Sequence, residues 1–281
     1  MRPFHALPAL IVLTVCGASC ASAAQTLKVD YGISLAGLPL GSADLATTFE
    51  GAKYNMQMGA KLTGLAGLLT GGKGAATASG ALGGPRPVPS AFAVTSRSSN
   101  DRRVVRMGLN SGNVAALEVV PPVDAKPDRV PLEETHKRGV VDPVSALIMP
   151  AAGRDPLDRA NCERTIPVFD GAARFDVVLS YSETRTVDKP GYRGQVLVCD
   201  ARYVPIAGHR SLRPSTKFMQ DNKDMQVWLA PVEGTRFLIP LRISVRTMVG
   251  VSVIEASNWA LQKDGGGLPN AGQVIRAGAA R

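Results

Sequence analysis

Apolar and polar residues alternate with a period of two along much of this chain. Over residues 174–182, Phe175, Val177, Leu179 and Tyr181 fall on one side, and Arg174, Asp176, Ser180 and Ser182 on the other, with Val178 the exception. Over 241–247, Leu241, Ile243 and Val245 alternate with Arg242, Ser244 and Arg246. Successive side chains of a strand point to opposite faces, so this pattern buries one face and wets the other, as in antiparallel sheets. The stretches 27–37, 39–50 and 53–62 read as strands separated by Gly-containing turns. Strands resume through 77–84, 89–99, 101–110 and 113–120. Val168-Phe169-Asp170-Gly171 supplies a strand and an Asp-Gly turn. Gly250 turns the chain into a last strand over 251–261.

Two stretches depart from that period. Leu62, Leu65, Leu68 and Leu69 lie at helical spacing and predict a short helix near 62–70. A second short helix is predicted over 142–149, with Asp142 as its cap, Pro143 at the first helical position and Pro150 as its stop. Residues 121–139, rich in Pro and charge, read as a long exposed loop inside one domain, because the first half lacks enough large apolar residues to stand alone. Residues 264–281 read as a disordered tail. The expectation is a single all-β domain (minor α) over 25–263. It would be a large curved antiparallel sheet of about 10 to 14 strands, an open or half-closed β-barrel with two short helices.

Composition supports this reading. Gly (29) and Pro (20) are plentiful and aromatics make up 5%, which favours short strands and frequent turns over long helices. Apolar residues, at 45%, are enough for a sizeable core and argue against global disorder. The formal charge of +9 adds attraction to anionic surfaces, so an anionic membrane surface joins the expected partners. Apart from Arg2, the arginines are spread from Arg86 to Arg281 without a local patch or aromatic platforms, so no nucleic-acid partner is expected.

The first 24 residues place the chain. Arg2 is followed by an apolar run from Ala6 to Val15 and then by small residues, with cleavage expected after Ala23 or Ala24. That is the layout of a secretory signal peptide, and the run is shorter than the roughly 18 to 20 residues of a membrane span. The chain is therefore expected in the periplasm. Cys16 and Cys20 lie within this segment, and neither has the small-residue and leucine setting of a lipidation site. Cys162 and Cys199 remain, and in an oxidising compartment they read as one disulfide, two buried thiols being the alternative.

Motifs for chemistry are sparse. Gly67 to Gly74 approaches a phosphate-binding loop but ends on Gly74 where a hydroxyl is needed for magnesium, so no ATP is expected. No HExxH, HxH or CxxC spacing suggests a metal, and no GxSxG elbow suggests a hydrolase. His209 lies in a turn, and Asp170 and Asp176 are a carboxylate pair by position alone. No catalytic residue and no cofactor is expected. Arg242 and Arg246 share a strand face, with Arg236 nearby. They are candidates for an anion-facing stripe, or simply long side chains that keep an outer face soluble.

The chain resembles the DUF3108 family, exported bacterial proteins of unassigned function. The second half carries the likeness in Asp142-Pro-Val-Ser-Ala-Leu147, Cys162, Ile166-Pro-Val-Phe-Asp170-Gly171, Arg174-Phe-Asp176, Gly191-Tyr-Arg-Gly194, Cys199 and Pro205-Ile-Ala-Gly208. It continues in Trp228-Leu-Ala-Pro231, Ile239-Pro-Leu241 and Thr247. The first half adds Tyr31, Gly41, Thr63-Gly-Leu-Ala66, Gly80 and Pro89. The likeness covers roughly residues 28 to 261. It implies an envelope protein and supplies no reaction. In size and strand pattern the chain is also similar to exported half-barrels, such as the lipoprotein-carrier type and periplasmic β-spiral proteins.

These observations lead to a non-enzymatic periplasmic protein that binds an envelope partner and supports envelope integrity. The alternative is a carrier of a lipid or other hydrophobic ligand in a half-barrel cavity. A periplasmic hydrolase is the third reading.

Overall fold

The computed structural model describes residues 24–63, 71–99 and 101–263. The predicted signal segment up to residue 23, residues 64–70 of the predicted first helix, and the tail from 264 lie outside the described residues. Leu62, the first residue of that predicted helix, ends a strand instead.

Seven strands come first: β1 (Gln25–Leu35), β2 (Leu38–Glu50), β3 (Lys53–Leu62), β4 (Lys73–Ala81), β5 (Val88–Arg97), β6 (Arg102–Asn110) and β7 (Asn113–Val120). A long crossover follows, holding the two-residue strand β8 (Met149–Pro150). Six more strands complete the chain: β9 (Arg164–Phe169), β10 (Arg174–Lys189), β11 (Tyr192–Ala207), β12 (Met225–Pro231), β13 (Phe237–Thr247) and β14 (Gly250–Lys263). Among the described residues there is one α-helix, α1 (Pro214–Asp221), between β11 and β12.

All fourteen strands form one sheet, in the order β7-β6-β5-β4-β3-β2-β1-β14-β13-β12-β11-β10-β9, with β8 paired to β13. Every ladder is antiparallel. Two meanders, β1 to β7 and β9 to β14, are thus joined along β1 and β14. The ladder does not close, because β7 and β9 end it without pairing to each other. The crossover bridges them, and the turn after β9 comes close too, since a Cβ on Gly171 would lie 2.5 Å from Val105 Cγ1 of β6 and 3.6 Å from Leu117 Cδ1 of β7. Val140 donates its N–H to Gly112 O (2.8 Å) beside β7, while Val141 donates to Pro167 O (2.9 Å) and accepts from Phe169 N (2.9 Å) of β9.

The two halves face each other across a filled interior. Phe49 of β2 stacks on Phe237 of β13 at 5.1 Å, and the Tyr31 hydroxyl donates to Pro240 O at 2.8 Å. Within the second meander, Tyr192 of β11 meets the edge of Trp259 of β14 at 5.3 Å. That contact needs Gly191: a Cβ there would sit 2.5 Å from Trp259 N, and φ is +86°. The main apolar cluster joins Leu27, Leu45, Met56 and Phe92 of the first meander to Val198 and Ile239 of the second. The crossover adds Val140, Val144 and Ile148 to the same cluster, so it plugs the space between the halves.

A second cluster lies on the other face of the second meander, with Leu179, Leu197, Cys199, Val227 and Leu229 beneath Met149, Ala151 and Cys162 of the crossover. Val196 to Cys199 are therefore all buried, two facing each cluster. A strand covered on both faces reads as a continuous apolar run rather than an alternating one. The disulfide Cys162–Cys199, with Cα atoms 5.5 Å apart, clips the crossover to this second face.

The helix predicted over 142–149 is corrected. Over 142–149 the chain makes one 3-10 turn, Ser145–Leu147, and then extends. Phe237 and Leu238 of β13 pair with Pro150 and Met149, which draws the segment straight before a second helical turn forms. The α-helix that does form, α1, was not anticipated; it starts on Pro214 and leads into Asn222, whose amide donates to Arg246 O at 2.9 Å. The loop 121–139 is pinned rather than free: Val130 N donates to His209 O (2.9 Å), and Arg210 pairs with Asp128 at 2.9 Å.

Candidate functional site

Asp142, Ser145 and Tyr54 meet at the root of the plug. Asp142 is fully buried. Its Oδ1 accepts from Val144 N (3.0 Å) and Ser145 N (2.9 Å), and its Oδ2 from Ser145 Oγ (2.5 Å). Ser145 Oγ also lies 2.7 Å from the Tyr54 hydroxyl of β3. Burial pushes the Asp142 carboxyl above its ordinary value, against the lowering effect of the hydrogen bonds from Ser145 and Val144. Burial also raises the Tyr54 phenol, the Ser145 bond opposes this, and the Asp142 charge adds to it. The neighbouring Gly80 leaves room for Tyr54, since a Cβ there would lie 2.7 Å from the Tyr54 hydroxyl and 2.3 Å from Val88 O. The group caps a turn and ties the plug to the sheet.

The three candidate arginines do not form one anion-facing stripe. Arg236 donates to Gly153 O at 2.9 Å on the crossover. Arg246 pairs with Asp224 at 2.5 Å, before β12. Arg242 pairs with Glu255 at 3.0 Å and lies over the Trp228 ring at 5.1 Å. Each cation is thus held by a partner within the chain. Trp228 is the centre that sequence reasoning missed: Arg185 also lies over its ring at 4.8 Å, and Lys189, paired to Glu255, at 6.0 Å. The signal is the register, Trp228 opposite Arg242 and Arg242 opposite Glu255, which requires knowing which strands pair.

The other titratable candidates have structural work. Asp170 Oδ1 accepts from Ala172 N (2.8 Å) and Ala173 N (2.7 Å) in its turn, and Asp176 pairs with Arg174 at 2.7 Å. The backbone of His209 holds the loop at Val130, and burial lowers its imidazole pKa, against a hydrogen bond with the Ala207 backbone that raises it. Among the described residues, no group of three or more His, Cys, Asp or Glu is placed to hold a metal ion.

Hollows of about 700 Å³ and 630 Å³ lie along the first meander, and two further features are open to a ligand. One is a groove of about 230 Å³ on the second face, walled by Ile166, Val168, Phe175, Val177, Val227 and Ile243 and roofed by Ala146 and Leu147. Apart from Gln226 and Ser244 its walls are apolar. The other is the outer edge of β7. Beyond a bulge between Gly108 and Leu109, Ala116 to Val120 pair regularly with β6 on one side. On the other side, no described strand pairs with them. The opposite end of the sheet differs, because β9 is already bonded to Val141.

The family described as "Protein of unknown function (DUF3108)" matches residues 27–257, from β1 into β14. The chain belongs to the DUF3108 family. A comparison with curated proteins found no match. Among solved structures, this DUF3108 protein is similar to the crystal structure of a beta-barrel-like protein of domain of unknown function DUF1849 from Brucella abortus. The TM-score is 0.50 at 9% identity, over 86% of this chain and 99% of that one, so the likeness is one of fold. In the DUF3108 chain, many residues that carry the family likeness are occupied in holding the fold. Asp142 and Ser145 root the plug, Cys162 and Cys199 clip it, Tyr31 joins the halves, and Gly80 and Gly191 allow close contacts.

Proposed function

We propose that this protein is an exported, non-enzymatic envelope protein that binds a partner protein by accepting an extended segment along β7. The segment 1–24 would direct it to the periplasm, where the disulfide persists. In this reading the sheet acts as a half-closed barrel whose interior is occupied by its own crossover, so binding falls to the rim.

The open edge of β7 carries the proposal. Unpaired N–H and C=O groups along an edge strand are a template for another strand, and proteins blunt such edges with Lys, Pro or bulges. The β7 sequence Asn113-Val-Ala-Ala-Leu-Glu-Val-Val120 contains no Lys, Arg or Pro, and its one bulge lies at the hairpin end. Leu117 and Val120 are 36% and 48% exposed beside that edge. Main-chain bonds would supply the affinity, and alternate side chains the specificity.

A photo-reactive residue at Glu118 tests this in the periplasm. One defined heterologous adduct is expected, and it should be lost at least about tenfold in Ala116→Lys/Val120→Lys, because edge lysines oppose strand addition. An adduct that survives these lysines, no adduct, or one of twice the chain mass would overturn the proposal.

A second reading, a carrier of a hydrophobic ligand, is favoured by the apolar groove. Its volume of about 230 Å³ lies below the roughly 300 to 1,000 Å³ of small-molecule sites, so it suits one alkyl tail and not a whole lipid. Lipid retained in the native mass spectrum of the purified chain would favour this reading over the first.

A further inference from the structure

The register of the first meander lines up four cations. Lys61 of β3 stands opposite Lys73 of β4, Lys73 opposite Arg97 of β5, and Arg97 opposite Arg102 of β6. Directly opposed residues share a sheet face. It is the outer face here, since the alternate residues Ala60, Ala76, Val94 and Val105 pack on or in the main cluster. All four cations are exposed. None of them enters an ion pair among the described residues.

Like charges opposed across a ladder destabilise a sheet, so three successive pairs of this kind work against the fold. The next cation along β6 on this face shows the usual solution: Arg106 pairs with Glu118 of β7 at 2.8 Å. The nearest acids do not relieve the row. Asp44 of β2 lies against Gly59, and Asp101 sits in the turn before Arg102, and among the described residues no cation lies within pairing distance of either. An external counter-charge is therefore the missing partner. Strands lie about 4.8 Å apart, so the row extends for roughly 14 Å in a line. A small anion cannot touch cations spread that far; an extended anionic surface can.

We propose that the row Lys61, Lys73, Arg97 and Arg102 docks this end of the sheet on the phosphate headgroups of an anionic lipid surface. A juxtamembrane cation adds about fivefold to such binding, and salt screens it. The purified mature chain is sedimented with vesicles of phosphatidylglycerol in phosphatidylcholine and with phosphatidylcholine alone. Binding is expected to the anionic vesicles only, to fall with salt, and to weaken about 25-fold in Lys73→Gln/Arg97→Gln. The control Arg106→Gln/Glu118→Gln should stay within about twofold, because it removes an ion pair and leaves the charge of this face unchanged. Thermal unfolding of Lys73→Gln/Arg97→Gln should be unchanged or raised, which separates lost docking from lost folding. Equal binding to both vesicle types, equal loss in Arg106→Gln/Glu118→Gln, or full competition by inorganic phosphate at matched ionic strength would overturn the proposal.

Discussion

Replacing Cys162 and Cys199 together by alanine is expected to lower the unfolding free energy by about 4 kcal/mol. The bond spans 37 positions, and the chain-entropy contribution of a loop of that length is roughly 3.8 kcal/mol. The place of the bond makes the loss local as well. Cys199 lies in the middle of β11, opposite Tyr181 of β10 and Val227 of β12, so one sulfur is fixed by two ladders. Cys162 lies on the crossover, whose Met149 and Ala151 cover the second face. Without the bond, that cover depends on the two residue pairs of β8 with β13 and on the hydrogen bonds of Val141 to β9 and Ala151 to Arg236. Urea unfolding of the oxidised protein, the reduced protein and the double variant checks this. The two disulfide-free forms should unfold at similarly lowered midpoints, and a variant as stable as the oxidised protein would show that the clip contributes nothing.

Asp142→Ala is expected to cost about 3 to 4 kcal/mol, because it leaves two buried N–H groups and the Ser145 hydroxyl without their acceptor. Asp142→Asn separates shape from charge. Its amide oxygen still accepts from Val144 N and Ser145 N, and its amide nitrogen donates to Ser145 Oγ, as a protonated carboxyl does. The sign of the pH effect follows from burial, which raises the Asp142 pKa in the folded chain. Between the ordinary aspartate value and this raised one, the folded state holds the proton more tightly than the unfolded state. The contribution of Asp142 is therefore fully present below that window and falls as pH rises through it. Asp142→Asn removes the titration, so its stability relative to the native chain should rise with pH across the window. Denaturant midpoints of both proteins from acid to neutral pH measure this, and a relative stability that falls with pH would contradict it.

The fold was legible in the sequence wherever one face of a strand stays wet. The alternation in 174–182 became β10, with Phe175, Val177, Leu179 and Tyr181 packed on the second cluster. The early strands followed the Gly-containing turns closely, as at Ala36-Gly37 between β1 and β2. Legibility failed where tertiary pairing decides conformation. Residues 142–149 carry a helical start in Asp142-Pro143, but β13 offers Met149 and Pro150 a ladder, and the chain stops after one turn. The helix α1 was missed because its eight residues include no fully buried one, so no apolar period marks them. The candidate site was less legible still. That β7 is an edge depends on strand order, and that Lys61, Lys73, Arg97 and Arg102 stand in a row depends on register. Neither is written in any local stretch of residues.

Amide hydrogen exchange of the purified chain tests most directly that β7 is an open edge awaiting a partner strand. Within Ala116 to Val120, alternate amides bonded to β6 should be protected, while those facing outward should exchange orders of magnitude faster and become protected when the partner cross-linked at Glu118 is added. Uniform protection along β7 in the isolated monomer, or outward amides that stay fast in the complex, would contradict the account.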